Sequence, residues 1–183
     1  MVRKELLKEL IVTFQESLPN DLLNRDVQLP IDAAKIIALR GVRRSGKSSI
    51  LLLTMNKLIA AGIKKEQILF INFDDERLQF ALPDFDLIIQ SYQELYPAIA
   101  INDVYLFFDE IQINNGWEQF IRRVYDQQTK HIFITGSNAK MLSSEIATSL
   151  RGRTLQYEIL PLSFAEFCLF KGIEVNIYKT AAE

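Results

Sequence analysis

The order of apolar and polar residues divides the chain into alternating strands and helices. Short, mostly apolar runs have the length of buried strands, and they cover residues 36–39, 68–73, 104–108, 131–135 and 155–159. Apolar residues at helical spacing separate them, and the predicted helices cover residues 47–61, 83–96, 117–127 and 139–148. This alternation predicts an α/β fold in which helices cover both faces of a parallel sheet.

Two further helices are predicted outside this alternating region. At the amino terminus, apolar residues at helical spacing predict an amphipathic helix whose role is packing; they are Leu6, Leu7, Leu10, Ile11, Phe14 and Leu18. Near the other end, Ser163 and Glu166 have the spacing of a capping box, so a helix is expected just after Pro161. We therefore divide the sequence into an N-terminal helix and linker (1–24), one α/β domain (25–160) and the start of a C-terminal extension (161–183).

The segment after the first predicted strand carries a strong chemical signal. Residues 41–48 match the pattern G-x-x-x-x-G-K-[ST] at every position, between a strand and a helix as that motif requires. Backbone N–H groups and the start of the following helix bind phosphate oxygens in such loops, so we predict that this segment binds ATP. The predicted nucleotide-binding residues are Gly41, Val42, Arg43, Arg44, Ser45, Gly46, Lys47, Ser48 and Ser49.

Individual residues of this loop have different expected roles. Lys47 can reach the β- and γ-phosphates and assist catalysis. The Ser48 hydroxyl suits the hard, octahedral shell of Mg²⁺, whereas Ser49 is not the expected metal ligand. Arg43 and Arg44 either contact phosphate or an acidic partner surface, or are solvated in the middle of the loop.

An acidic pair follows the third predicted strand. Asp109 comes directly after five apolar residues, as expected of a carboxylate that holds Mg²⁺ through water. Glu110 is the predicted general base, because a carboxylate near the γ-phosphate can accept a proton from the attacking water. Asp74 and Asp75 follow a less uniformly apolar strand, and we interpret them as part of a solvated loop.

Polar residues elsewhere could complete the site. Ser137 and Asn138 follow the fourth predicted strand, where a small polar side chain can orient water near the γ-phosphate; an ordinary polar turn is the alternative. Arg151 and Arg153 flank Gly152, and either could stabilise the transferring phosphoryl group in a neighbouring subunit or simply be a surface charge. We favour Arg153, which implies a homo-oligomer.

Several motifs together resemble a prokaryotic AAA-type ATPase family. The segments that carry the resemblance cover residues 41–48, 108–112 with Trp117, 135–138, 150–153 and 161–167. The resemblance implies a five-stranded sheet of order 5-1-4-3-2, with Lys47 and Ser48 in the Walker A motif and the Asp109–Glu110 pair as Walker B. It also implies Ser137 or Asn138 as a sensor and Arg153 as a possible arginine finger. Family members usually carry a further C-terminal domain, so this sequence has the length expected of a truncated fragment.

Composition narrows the range of partners. The net charge of −2 and pI near 5.6 give no overall field that would attract nucleic acid or an anionic membrane. One cysteine, Cys168, and one histidine, His131, cannot supply a disulfide framework or a Cys/His zinc site. Charged residues interrupt the apolar positions of residues 1–18, which argues against a signal peptide or membrane span and favours the cytoplasm.

The leading prediction is an enzyme that hydrolyses ATP with Mg²⁺ and couples nucleotide state to conformational change. A nucleotide switch without hydrolysis is the first alternative. A GTPase lacks support because Asn56-Lys57 continues as Leu58-Ile59 rather than as a guanine-reading segment. A small-molecule kinase would need an acceptor pocket and an arginine-bearing lid, and the sequence indicates neither. The basic pair Arg122-Arg123 is a candidate contact for nucleic acid, so a nucleic-acid-associated ATPase stays an alternative. The target is therefore an unknown protein or DNA.

Overall fold

A parallel five-stranded sheet forms the centre of the protein. The computed structural model describes residues 3–137 and 150–173. The strands are β1 Ile36–Arg40, β2 Ile68–Asn72, β3 Tyr105–Asp109, β4 Ile132–Gly136 and β5 Thr154–Glu158. Their order in the sheet, β2-β3-β4-β1-β5, confirms the predicted order 5-1-4-3-2.

The described helices are α1 Lys4–Glu16, α2 Lys47–Ala60, α3 Asp86–Leu95, α4 Trp117–Gln127 and α5 Phe164–Lys171. The predicted 83–96 helix is shorter than expected, because a 3₁₀ turn over Leu82–Phe85 precedes α3. The helix predicted over 139–148 lies outside the described residues. Within 3–137 and 150–173, every helix is too short or too polar to cross a lipid bilayer.

The two faces of the sheet bury two separate apolar clusters. Alternate residues of β1 show the division: Ile36 and Ala38 belong to one cluster, and Ile37 and Leu39 to the other. The first cluster includes apolar residues of α1, α3 and α4, and the second includes those of α2. Both faces of the sheet are therefore covered, as predicted.

Helix α1 packs against α3 and β2. Leu7 and Ile11 are buried in the first cluster. The Gln15 amide donates to the Ile68 carbonyl at 2.9 Å and accepts from the Tyr96 hydroxyl at 2.5 Å. These contacts confirm the predicted packing role of the amphipathic helix.

The parallel arrangement places the candidate residues at two different edges of the sheet. The phosphate loop follows β1, the acidic pair ends β3, and Ser137 follows β4, so all three lie at the carboxyl edge. Arg153 immediately precedes β5, and its carbonyl accepts a hydrogen bond from the N–H of Ile36 at the start of β1. Arg153 is therefore at the opposite edge of the sheet from the phosphate loop.

Candidate functional site

A cleft of about 860 Å³ opens at the carboxyl edge of the sheet. It brings together the phosphate loop and the acidic pair, which are separated by some sixty residues of sequence. The lining residues are Arg43, Arg44, Gly46, Lys47, Ser48, Ser49, Asn72, Asp74, Asp109 and Glu110. Asn72 and Asp109 are paired in the β2–β3 register, which explains why the end of β2 also contributes to this cleft.

The two glycine positions of the phosphate loop require glycine for different physical reasons. Gly46 has φ +92° at the residue that caps α2, a left-handed conformation that side chains disfavour. Gly41 is packed so closely that an added Cβ atom would lie 2.3 Å from the Ile159 carbonyl oxygen. The loop therefore needs backbone freedom at one end and close backbone approach at the other.

Lys47 lies between the loop and the acidic pair. Its side chain is only 4% exposed, and its ammonium donates to the carbonyls of Gly41 and Val42, both at 3.2 Å. The same nitrogen is 3.4 Å from Oε1 of Glu110. A phosphate group bound along the loop would meet a buried positive charge at this point.

Asp109 is a buried carboxylate held by two hydroxyl groups. Ser48 Oγ donates to Oδ2 at 2.6 Å, and Thr135 Oγ1 donates to Oδ1. Burial raises the pKa of Asp109, while these two hydrogen bonds act in the opposite direction. The side chain is thereby oriented toward the first turn of α2, where Ser48 lies.

Glu110 has an unusual backbone conformation beside this carboxylate. Its φ is +50°, and its N–H donates to Thr135 Oγ1 at 2.9 Å. Gln112 Nε2 donates to Oε2 of Glu110 at 2.5 Å. Among the described residues, the non-glycine residues with positive φ are Arg44 and Glu110, and both line the cleft. Such conformations are costly and concentrate at functional sites.

The oxygen groups around Asp109 fit Mg²⁺ bound together with a nucleotide. The hydroxyl of Ser48 and the carboxylate of Asp109 are adjacent hard donors, as that ion prefers. Across the described part of the chain, no cluster of three or more His, Cys, Asp or Glu side chains could hold a metal ion alone. The remaining ligands of a magnesium ion here would come from phosphate oxygens and water, which is how Mg²⁺ binds in phosphate-loop proteins.

Some predicted residues do not line the cleft. Val42 is 52% exposed, whereas Gly41 and Ser45 are buried. Ser137 is half-buried beyond the end of β4 but outside the cleft lining, and Asn138 lies outside the described residues. Arg153 is bound to Asp126 of α4, with Nε 2.9 Å from Oδ1, at the opposite edge of the sheet.

Several contributors were missed by the sequence analysis, among them Asn72 at the end of β2. Thr135 contacts both members of the acidic pair, and its position at the polar end of an apolar strand was a usable signal. Asp74, interpreted as a residue of a solvated loop, is exposed but does line the cleft. Arg25 donates to the Ser45 carbonyl at 2.8 Å from the linker before β1, and no local pattern in the sequence marks it.

Comparison with known proteins supports the same interpretation. A family model described as an AAA domain matches residues 33–168. An uncharacterized protein of Methanocaldococcus jannaschii is 41% identical over 180 residues, covering 96% of this chain and 38% of that protein. An uncharacterized protein of Haemophilus influenzae is 39% identical over 143 residues, covering 78% of this chain and 35% of that protein. The chain thus spans little more than a third of the length of these relatives.

A solved structure shows the same fold. A DNA polymerase III gamma subunit-related protein from Thermotoga maritima has a TM-score of 0.53 at 12% sequence identity, and the alignment covers 98% of this chain and 52% of that protein. At this identity the likeness concerns the fold alone. Because the family model matches most of the sequence, this chain belongs to the AAA domain family and is a nucleotide-binding domain of the ATPase type.

Proposed function

We propose that the protein binds ATP with Mg²⁺ and hydrolyses its β–γ phosphoanhydride bond. The observation that carries this proposal is the meeting of two motifs in one cleft. Ser48 of the phosphate loop is 2.6 Å from Asp109, and Lys47 of the same loop is 3.4 Å from Glu110. Phosphate-binding and water-activating groups are thereby assembled within reach of one nucleotide.

The residues of the cleft have separate roles in phosphoryl transfer. Lys47 and the loop N–H groups bind the β- and γ-phosphates, while Ser48 and Asp109 would hold Mg²⁺. When bound there, Mg²⁺ would supply positive charge that offsets the charge of the phosphate oxygens. Glu110 accepts the proton of the attacking water. Gln112 orients its carboxylate, and Thr135 holds its backbone by accepting from the Glu110 N–H.

A second cavity offers space for the nucleoside. It has a volume of about 340 Å³ and shares Arg44, Gly46 and Ser49 with the first cleft. Apolar side chains contribute to its wall, including Leu22, Leu162 and Phe170. A partly apolar cavity that adjoins the proposed phosphate site suits a purine ring.

A nucleotide switch without hydrolysis remains the second candidate, and the contacts of Glu110 favour it. Lys47 is 3.4 Å from Oε1, and Gln112 donates to Oε2. The three donors of the Lys47 ammonium are directed at Gly41, Val42 and Glu110, so the lysine has to release one of these contacts before it can bind phosphate. Turnover would then depend on a rearrangement around Glu110, which nucleotide binding at Lys47 can supply.

Two substitutions test the proposal. Lys47→Ala should weaken Mg-ATP binding by at least roughly tenfold, because it removes a buried charge-assisted contact to phosphate. Lys57→Ala changes an exposed lysine of the same helix and serves as the matched control. Glu110→Gln should retain binding but lose ATP turnover by roughly a hundredfold or more.

The outcomes separate the two candidates. Unchanged affinity in Lys47→Ala, measured by calorimetric titration with Mg-ATP, would reject the nucleotide site altogether. Tight binding with no turnover in the unsubstituted protein would favour the switch. We further propose that nucleotide state drives a conformational change on an unknown protein or DNA target, and that Arg153 acts on the site of a neighbouring subunit in a homo-oligomer.

A further inference from the structure

Arg25 links three parts of the chain that are far apart in sequence. Its guanidinium donates from Nη1 to the Ser45 carbonyl at 2.8 Å, from Nη2 to the Leu160 carbonyl at 3.1 Å, and from Nε to Glu166 Oε1 at 2.7 Å. The side chain is only 6% exposed. A buried guanidinium with every contact directed at a specific acceptor has little freedom to move.

Glu166, at the start of α5, holds this guanidinium in place. Its Oε1 also accepts from the N–H of Asp26 at 3.2 Å, and its Oε2 accepts from the N–H of Ser163 at 2.9 Å. The Arg25 guanidinium, with help from these backbone donors, lowers the pKa of Glu166 to about 2. The carboxylate therefore ties the linker before β1 to the first turn of α5.

The contact with Ser45 controls the direction of a phosphate-binding group. The peptide between Ser45 and Gly46 is planar and trans, so its C=O and its N–H point in opposite directions. Arg25 holds the C=O on its own side, and Nη1 lies 2.6 Å from where a Cβ atom of Gly46 would be. The N–H of Gly46 is consequently directed away from Arg25.

The other end of the phosphate loop rests on the same part of the chain. Gly41 packs against the Ile159 carbonyl, and the N–H of Ile159 donates to the Arg40 carbonyl at 2.7 Å. The segment from 159 to 166 therefore supports the loop at Gly41 directly and at Ser45 through Arg25. Displacing α5 would disturb the loop at Ser45, because Glu166 of α5 holds Arg25.

From these contacts we infer that Arg25 is a positioning residue for the phosphate loop, and that Glu166 couples nucleotide affinity to the position of α5. This inference rests on the proposed function, since it concerns the same site. Arg25 also lines the cavity proposed for the nucleoside, whereas Glu166 does not. Arg25 acts through the Ser45–Gly46 peptide, and Glu166 acts through Arg25.

A double-mutant cycle on nucleotide affinity tests the inference. Arg25→Gln should weaken Mg-ATP binding roughly tenfold, because the Gly46 N–H loses its fixed direction. Glu166→Gln should weaken it by a smaller factor, and the double variant should bind no worse than Arg25→Gln, since Glu166 works through Arg25. Affinity is measured at a temperature where thermal unfolding shows every variant to be folded.

Arg123→Gln is the control, because it breaks the ion pair between α4 and Asp86 of α3, away from the cleft. It should leave Mg-ATP affinity within twofold of the unsubstituted protein. If Arg25→Gln lowers the unfolding temperature but keeps full affinity for Mg-ATP, then Arg25 only stabilises the fold, and the inference is overturned. If Arg25→Gln fails to fold, Glu166→Gln decides, and unchanged affinity in that variant overturns the inference as well. Loss of Mg-ATP binding in the unsubstituted protein would instead reject the proposed function.

Discussion

At the scale of single residues, the site depends on positions where a side chain has no space or where the backbone φ is positive. Gly41 has no space for a side chain, and Gly46, Arg44 and Glu110 have positive φ. Lys47 and Asp109 are buried charged groups whose hydrogen bonds hold them in place. These features give the cleft a defined shape before any ligand contacts it.

Gly41→Ala should therefore damage the site through crowding alone. The new Cβ atom would lie 2.3 Å from a backbone oxygen of Ile159, so the loop must shift. We expect a loss of about 1–3 kcal/mol in the free energy of unfolding, measured by urea denaturation, and at least roughly tenfold weaker Mg-ATP binding. Gly62→Ala is the control: φ is +100° there but the space is open, so about 1–2 kcal/mol of stability is lost with affinity unchanged. Equal affinity in both variants would contradict this explanation.

At the scale of secondary structure elements, α5 is held differently from the other helices. Only Cys168 is buried among its residues, while Phe164 and Leu169 are 69% and 68% exposed. Its capping box is formed as predicted, with the Glu166 N–H donating to Ser163 Oγ at 3.2 Å. The ion pair of Glu166 with Arg25, which in turn binds the Ser45 carbonyl, thus links α5 to the phosphate loop.

This ion pair predicts a pH dependence of stability. The folded-state pKa of Glu166 is lowered to about 2 from an ordinary value of 4.5, chiefly by Arg25. Its contribution is therefore complete above the ordinary value and is lost as the pH falls toward the folded value. The difference in free energy of unfolding between the unsubstituted protein and Glu166→Gln should be larger at pH 7 than at pH 3, as measured by urea denaturation. An identical difference at both values would show that the charge of Glu166 contributes nothing.

At the scale of the whole molecule, the parallel sheet separates the proposed nucleotide cleft from Arg153. The cleft lies at the carboxyl edge, and Arg153 precedes β5 at the other edge, paired with Asp126. A side chain at that position cannot reach the nucleotide of its own chain. Any role in hydrolysis requires a neighbouring subunit, which agrees with the AAA-type fold.

The prediction at this scale concerns protein concentration. If Arg153 acts in trans, ATP turnover per subunit should rise as the protein assembles, and Arg153→Ala should lower the assembled rate at least roughly tenfold while binding persists. Arg122→Ala is the control, because Arg122 also approaches Asp126, at 3.8 Å, from the exposed side of α4. Turnover per subunit that is constant over a hundredfold range of concentration would rule out the trans arrangement.

Local patterns were enough to predict most of the architecture. Apolar runs and helical spacing depend on neighbouring residues, so they located the strands and described helices to within a few residues. The capping box at Ser163 and the match at residues 41–48 are equally local. Parallel strand topology then placed the loop and the Asp109–Glu110 pair at one edge of the sheet, where the structure has them.

The sequence by itself determined the fold class, the loop over residues 41–48 and the acidic pair, because each depends on consecutive or regularly spaced residues. Only the tertiary structure decided the contacts of Arg25 with Ser45 and with Glu166, which is 141 positions away. The same is true of the hydrogen bonds of Thr135 with both acidic residues. It also decided that Arg153 faces away from its own site. Such contacts depend on how strands and helices pack, and a hydrogen bond between distant residues leaves no periodic signal along the chain.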